Sequence, residues 1–260
     1  MINLIKRTLN YFVTISRIGF YSAIKSTILT KLKIKKKIEI QIDGKKLIIR
    51  TNTPDLGTAL LSLGNEFEPL ANLLDHNFND LIVDAGGYIG TSAIKFAEMY
   101  PNAKIVTIEP ETENYNILTH NVKKYSNIEV IKAALVAKND GELILTNLGT
   151  GEWGNTVVNN NKLIKNLETK NIEKINGITL DDILTKYNNK KIGLLKIDIE
   201  GAEKEILDNA NETLYDVYAT FIELHDRFVP GCTESYINFS KNRILLNFGT
   251  EKYLSIKNDY

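Results

Sequence analysis

The sequence predicts an α/β fold: a doubly wound, mostly parallel sheet with helices on both faces, preceded by an N-terminal helix and a β-hairpin. Three observations carry that prediction. From residue 80 onward, short apolar runs alternate with stretches of helical spacing. The first run, Leu81-Ile82-Val83-Asp84, opens into a glycine-rich turn, Ala85-Gly86-Gly87-Tyr88-Ile89-Gly90, and then into the helix-spaced Thr91-Ser92-Ala93-Ile94-Lys95-Phe96-Ala97. Four runs close on an acid, which puts Asp84, Glu109, Asp198 and Glu223 at strand carboxyl ends. In such sheets ligands sit beyond those ends.

The elements follow in order. Residues 1–36 are a basic helical segment: Ile2, Ile5, Leu9, Val13, Phe20, Ile24 and Ile28 mostly recur at helical spacing. Residues 37–78 are lead-in elements. Lys37–Ile42 alternates apolar with polar, Asp43-Gly44 is a tight-turn pair, and Lys45–Arg50 returns, so a hairpin spans 37–51. Thr51–Asp55 reads as a polar turn, and a helix runs over 66–76. Residues 79–260 hold the main domain. Strands are expected at 80–84, 104–109, 128–132, 192–198 and 218–224, with helices at 90–99 and 111–124. Asp140-Gly141 is read as a turn joining 135–137 to 142–145, and 147–161, with Trp153, as a loop. Thr179 caps a helix. A last helix is expected at 234–247 and a final strand at 252–256.

Composition bounds the rest. With 260 residues, 43% hydrophobic and 25% charged, the chain is globular. A single cysteine, Cys232, excludes an internal disulfide and fits a cytoplasmic setting. The net charge of zero hides an asymmetry: the first fifty residues carry 12 Lys/Arg against Glu39 and Asp43. No uncharged run in residues 1–37 approaches the ~20 residues of a membrane span. That segment either lies peripherally on the inner face of an anionic membrane or packs its apolar side on the domain. It carries no nucleic-acid-binding motif.

The chemistry gathers at the strand ends. The glycine loop lets a ligand approach the backbone, and the helix start offers free N–H groups. Glu109 closes the second strand at the spacing where a carboxylate meets a ribose held over such a loop. An acid, Asp84, precedes the first glycine. It would repel the pyrophosphate of NAD but suits the sulfonium and ammonium of S-adenosylmethionine. The second constellation is Lys196-Ile197-Asp198-Ile199-Glu200-Gly201-Ala202-Glu203, followed by Glu223-Leu224-His225.

With these residues the chain resembles the FkbM-type S-adenosylmethionine-dependent methyltransferases. The likeness rests on Asp84–Gly90, Ile108-Glu109-Pro110, Asn114, Asn121, Ala134-Leu135, Lys196–Glu203 and Glu223–His225. Gly87-Tyr88 departs from the family's usual Ala-Asn. The resemblance implies a class I, Rossmann-like domain that methylates a hydroxyl of a sugar, polysaccharide or lipid-linked glycan precursor, in polysaccharide biosynthesis. The expected cofactor-binding residues are Asp84, Gly86, Gly87, Tyr88, Gly90, Glu109, Pro110, Ala134, Leu135 and Asp198. The expected catalytic residues are His225, as the base, with Asp198, Glu200 and Glu223. No metal is assigned, although Asp198, Glu200, Glu223 and His225 would also suit magnesium. A nicotinamide oxidoreductase and a non-catalytic docking module are the competing readings.

Overall fold

A computed structural model describes residues 14–75, 77–139, 143–147, 155–159, 173–249 and 251–258. After helical residues 14–18 come α1 (Phe20–Lys31), β1 (Lys37–Ile42), β2 (Lys45–Arg50), α2 (Asp55–Ser62) and the single turn α3 (Glu68–Ala71). The core follows with β3 (Leu81–Ala85), α4 (Thr91–Met99), β4 (Lys104–Ile108), α5 (Thr112–Val122), β5 (Ile128–Ile131) and β6 (Ala134–Leu135). Then come β7 (Leu143–Asn147), β8 (Asn155–Asn159), β9 (Glu173–Ile175), β10 (Gly177–Ile178), α6 (Leu180–Lys186) and β11 (Ile192–Ile197). The chain closes with α7 (Glu203–Asp208), α8 (Glu212–Asp216), β12 (Ala219–Glu223), α9 (Cys232–Phe239), β13 (Arg243–Asn247) and β14 (Lys252–Lys257).

The main sheet has the order β13-β14-β12-β11-β3-β4-β5. Pairings from β12 through β5 are parallel, and β14 runs antiparallel between β12 and β13. The order reverses between β3 and β11, the position where a doubly wound sheet opens a crevice. Strands β3 and β11 are buried at every residue, as a sheet covered on both faces requires.

Each face has its own apolar layer. On one, Ile82, Ile105 and Leu194 pack with Phe96 and Leu118 of α4 and α5, and with Ile38, Ile40, Leu47 and Ile49 of the hairpin. On the other, Val83, Val106 and Leu195 pack with Ile183, Ile206, Tyr236 and Phe239. The hairpin is thus part of the core. Asn121 on α5 sews it in, accepting from the Ile48 N–H at 2.8 Å and donating to the carbonyls of Ile48 and Ile89. Asp43 and Gly44 both have positive φ, as the tight Asp-Gly turn demands.

Several local expectations are corrected. The polar stretch ahead of residue 56 leads directly into α2, and the helix expected at 66–76 shrinks to one turn. Asp55 accepts from the Arg50 N–H at 2.7 Å and binds its guanidinium, so a tertiary ion pair starts that helix early. The helix expected at 234–247 stops at Phe239. Residues 243–247 instead form β13, because Arg243 is anchored to the Val217 and Tyr218 carbonyls and β14 offers its edge. The strands expected to flank Asp140-Gly141 pair elsewhere: Ala134–Leu135 pairs in parallel with Gly177–Ile178, and Leu143–Asn147 pairs with β8 and β9. Part of the loop expected at 147–161 is therefore strand. Trp153, Asp140 and Gly141, His76 and residues 1–13 lie outside the described residues.

Candidate active site

One cavity lies beyond the carboxyl ends of β3, β4, β11 and β12. It is open to solvent over the strand ends. Gly86, Gly87, Tyr88, Glu109, Pro110, Ala134, Leu135, Asp198, Glu200 and Glu223 all line it. Asp84 and Gly90 are not among the lining residues. His225 lies behind Asp198, Glu200 and Glu223, with its Nε2 turned toward them.

The glycine loop is tightly constrained. Gly86 has φ +81, and a Cβ there would lie 1.8 Å from the Asp198 carbonyl oxygen. The two motif loops touch at this point, and only glycine fits. Gly90 holds the left-handed position before α4. Beneath the loop, Asp84 is fully buried and accepts from Ser92 at 2.8 Å and Thr107 at 2.9 Å. Its other oxygen faces Lys196 Nζ at 3.2 Å. Lys196 donates to the Gly86 carbonyl at 2.8 Å. Burial opposes the Lys196 charge, but Asp84 and Asp198 outweigh it and hold its pKa above the lysine range. Asp84 and Lys196 therefore form the footing of the loop.

Glu109 lines the cavity beside the glycine loop. Its carboxylate accepts from the Tyr88 N–H at 2.9 Å, the Glu111 N–H at 3.0 Å and Asn114 Nδ2 at 3.3 Å. Burial outweighs these donors and pushes the Glu109 pKa up to about 7. Tyr88, at φ 49, turns its ring toward the N-terminal layer and donates through its hydroxyl to Asp55 Oδ1 at 2.5 Å.

At the opposite end four carboxylates surround His225, which is 1% exposed. Its Nδ1 lies 2.7 Å from Oε1 of the fully buried Glu203. Its Nε2 faces Glu200 at 3.6 Å, Asp198 at 3.7 Å and Glu223 at 4.0 Å. Glu200 has φ 53 and Gly201 φ 100, a left-handed pair that turns Glu200 back toward the imidazole. Burial alone would lower the His225 pKa. Glu203, Asp198 and Glu200 reverse that and hold it at about 9. Burial pushes Glu200 up to about 7 and, with Asp198 nearby, Glu223 upward as well. Arg227 and Lys252 stand at the mouth, 3.6 Å from Glu200 and 3.2 Å from Glu223. Cys232 is buried against Glu203 with its thiol pushed up to about 11, in an inert state.

A buried carboxylate beside a glycine-rich loop, apolar Pro110, Ala134 and Leu135, and an acid-rich far end line one cavity at the carboxyl ends of the parallel strands. Together with the strand order, this defines a class I, Rossmann-like methyltransferase fold. The Methyltransferase FkbM domain model matches residues 84–239, and the chain belongs to that family. It is an S-adenosylmethionine-dependent methyltransferase domain. Membership of a methyltransferase family speaks against the nicotinamide reading.

Among curated relatives, it is 29% identical over 164 residues to Methyltransferase sdnD of Sordaria araneosa, covering 54% of this chain and 63% of that protein. It is 25% identical over 154 residues to Methyltransferase 1 of Beauveria bassiana (strain ARSEF 2860), covering 54% and 61%. The chain thus spans under two thirds of the length of either relative. Among solved structures, it is similar to a putative caffeoyl-CoA O-methyltransferase from Staphylococcus aureus at 13% identity, with a TM-score of 0.44, covering 74% and 83% of the two chains.

Proposed function

We propose that the protein is an O-methyltransferase acting on a hydroxyl of a sugar, polysaccharide or lipid-linked glycan precursor. The observation that supports this reading best is a single cavity with two chemically distinct ends, Glu109 over the glycine loop and the His225 cluster opposite. When bound, S-adenosylmethionine supplies an activated methyl group on a sulfonium centre. Glu109 accepts hydrogen bonds from the ribose hydroxyls, and Gly86 and Gly87, where a side chain would strike Asp198 and Thr107, keep the loop in the shape that presents its backbone to the ligand. Pro110, Ala134 and Leu135 cover its apolar ring. Asp198 presents negative charge toward the sulfonium side.

The acceptor hydroxyl enters between Arg227 and Lys252 and lines up opposite sulfur. Its proton passes to a carboxylate of the cluster, Glu223 or Glu200, because His225, held at about 9, is already protonated at neutral pH and serves as their counter-charge. Helix α1 leaves Phe20 and Tyr21 exposed, with Leu32 beside Lys31 and Lys33, which favours peripheral contact with an anionic membrane that carries the acceptor.

The test uses donor labelled in the methyl group and a panel of free sugars, polysaccharides and glycolipids. Label recovered as an alkali-stable methyl ether on carbohydrate supports the reading. Label found only on nitrogen or a carboxyl group defeats it. In parallel, calorimetric titration should show S-adenosylmethionine binding that Glu109→Ala weakens, and no NAD binding.

A further inference from the structure

We propose that Asp198, Glu200 and His225 form a binding site for a hard divalent cation of the Mg2+, Mn2+ or Ca2+ class, with Glu223 at its edge. The ion's role deepens the methyltransferase reading and rests on it; its binding does not. Spacing along the chain assigns no metal here. The three-dimensional arrangement does.

The first argument is distance. One oxygen from each acid and the imidazole Nε2 all lie within 4.8 Å of one another. Two ligands of one ion stand at most twice a bond length apart, roughly 4.2 Å for Mg2+ and about 5 Å for Ca2+. Nε2 belongs to a histidine 1% exposed, yet its carboxylate neighbours stand at 3.6, 3.7 and 4.0 Å, beyond hydrogen-bond range. Those separations leave room for an ion between the atoms. Glu200 Oε2 is buried and has no hydrogen-bond partner among the described residues.

The second argument is orientation. A histidine that binds metal through one nitrogen usually donates the other N–H to a carboxylate. Glu203 Oε1, 2.7 Å from Nδ1, occupies that position. The Ile199 N–H holds the same oxygen at 3.2 Å. Glu203 thereby fixes the ring and turns Nε2 toward Asp198 and Glu200, where a bound ion displaces its proton.

The third argument is charge. Lys196 is shared between Asp84 and Asp198, Arg227 between Glu200 and Glu251, and Lys252 between Glu223 and Glu66. Carboxylates outnumber fixed cations around the cavity, and a divalent ion relieves the excess. Oxygen-rich sites with one imidazole suit such ions. Two neighbouring hydroxyls of a sugar would complete the coordination shell, which selects acceptors bearing a vicinal diol. With the imidazole committed to the ion, Glu223 is left to receive the hydroxyl proton.

The full-length protein is titrated with Mn2+, and bound ion is read by loss of the free-ion electron paramagnetic resonance signal. Binding is expected in the wild type and about tenfold or more weaker in Glu200→Gln. Glu203→Gln, which alters the group that orients the ring without removing a ligand of the ion, should weaken it by roughly 10–100-fold. Asp208→Asn, outside the cavity, should leave it unchanged, and circular dichroism checks that each variant is folded. No binding by the folded wild type, or equal binding by folded Glu200→Gln, overturns the proposal. S-adenosylmethionine titrations of the same samples separate the two readings. Cofactor binding without Mn2+ defeats only the cation site; Mn2+ binding without the cofactor defeats the methyltransferase reading.

Discussion

The Tyr88 hydroxyl donates to Asp55 Oδ1 at 2.5 Å, tying the cofactor loop to the N-terminal layer. Asp55 is fully buried, and its two oxygens also receive Nε and Nη2 of Arg50, each at 3.0 Å. The Arg50 guanidinium lies 5.4 Å from the Tyr88 ring centre. The bulky residue in the glycine loop is thus held from behind, while its own N–H reaches Glu109.

Loss of that tether should loosen the loop. Tyr88→Phe is expected to lower stability by about 1–2 kcal/mol, since a hydrogen bond to a carboxylate is lost while Arg50 still pairs it. It should also weaken S-adenosylmethionine binding through the Tyr88–Glu109 contact. Arg50→Met is the harsher change. It strands a buried carboxylate and should cost about 3–5 kcal/mol in urea unfolding.

Two glycines should respond in opposite directions to alanine. Gly57 lies in α2 with an ordinary φ, and a Cβ added there would meet nothing within 4 Å. Gly57→Ala should therefore raise stability by about 0.4–1 kcal/mol. Gly86→Ala forces a methyl group onto the Asp198 carbonyl at a left-handed φ. It should cost about 2 kcal/mol or more and abolish cofactor binding. Thermal melts and calorimetry on both variants check this.

Much of the fold was legible because buried parallel strands write themselves as apolar runs, and the acids that end them mark the rim. The same runs do not say which way an acid turns. Asp84 and Glu109 end neighbouring strands, yet Asp84 is enclosed by Ser92, Thr107 and Lys196 while Glu109 faces the cavity. The footing role of Lys196 and the pairing of Glu203 with His225 depend on contacts across 110 and 22 residues of chain, which no local pattern encodes. Residues 243–247 carry the helix-compatible run Ile244-Leu245-Leu246, and only pairing with β14 makes them a strand.

The exposed face of α1 predicts lipid dependence. Phe20 is 66% and Tyr21 78% exposed, an apolar pair on a strongly basic segment. In co-sedimentation, the protein should bind vesicles containing phosphatidylserine and not neutral phosphatidylcholine vesicles, and salt should release it. The double variant Phe20→Ser, Tyr21→Ser should reduce binding while leaving cofactor affinity intact. Equal binding to neutral vesicles would contradict the electrostatic part of this account.

Glu109 predicts a pH dependence of cofactor binding with a definite sign. A free glutamate titrates near 4.5, whereas burial moves Glu109 to about 7. The folded state therefore disfavours the charged form. Its contribution to stability is fully present below pH 4.5 and is lost as pH rises through about 7. Cofactor binding runs the other way, because the ionised carboxylate accepts from both ribose hydroxyls and the protonated one does not. S-adenosylmethionine affinity should rise roughly tenfold between about pH 6 and about pH 8, following the ionised fraction. Glu109→Gln, which cannot ionise, should bind weakly at both values and flatten the profile. Calorimetric titrations at the two pH values decide it: a wild-type affinity that falls with rising pH, or a slope that survives in Glu109→Gln, would place the titrating group elsewhere in the cavity.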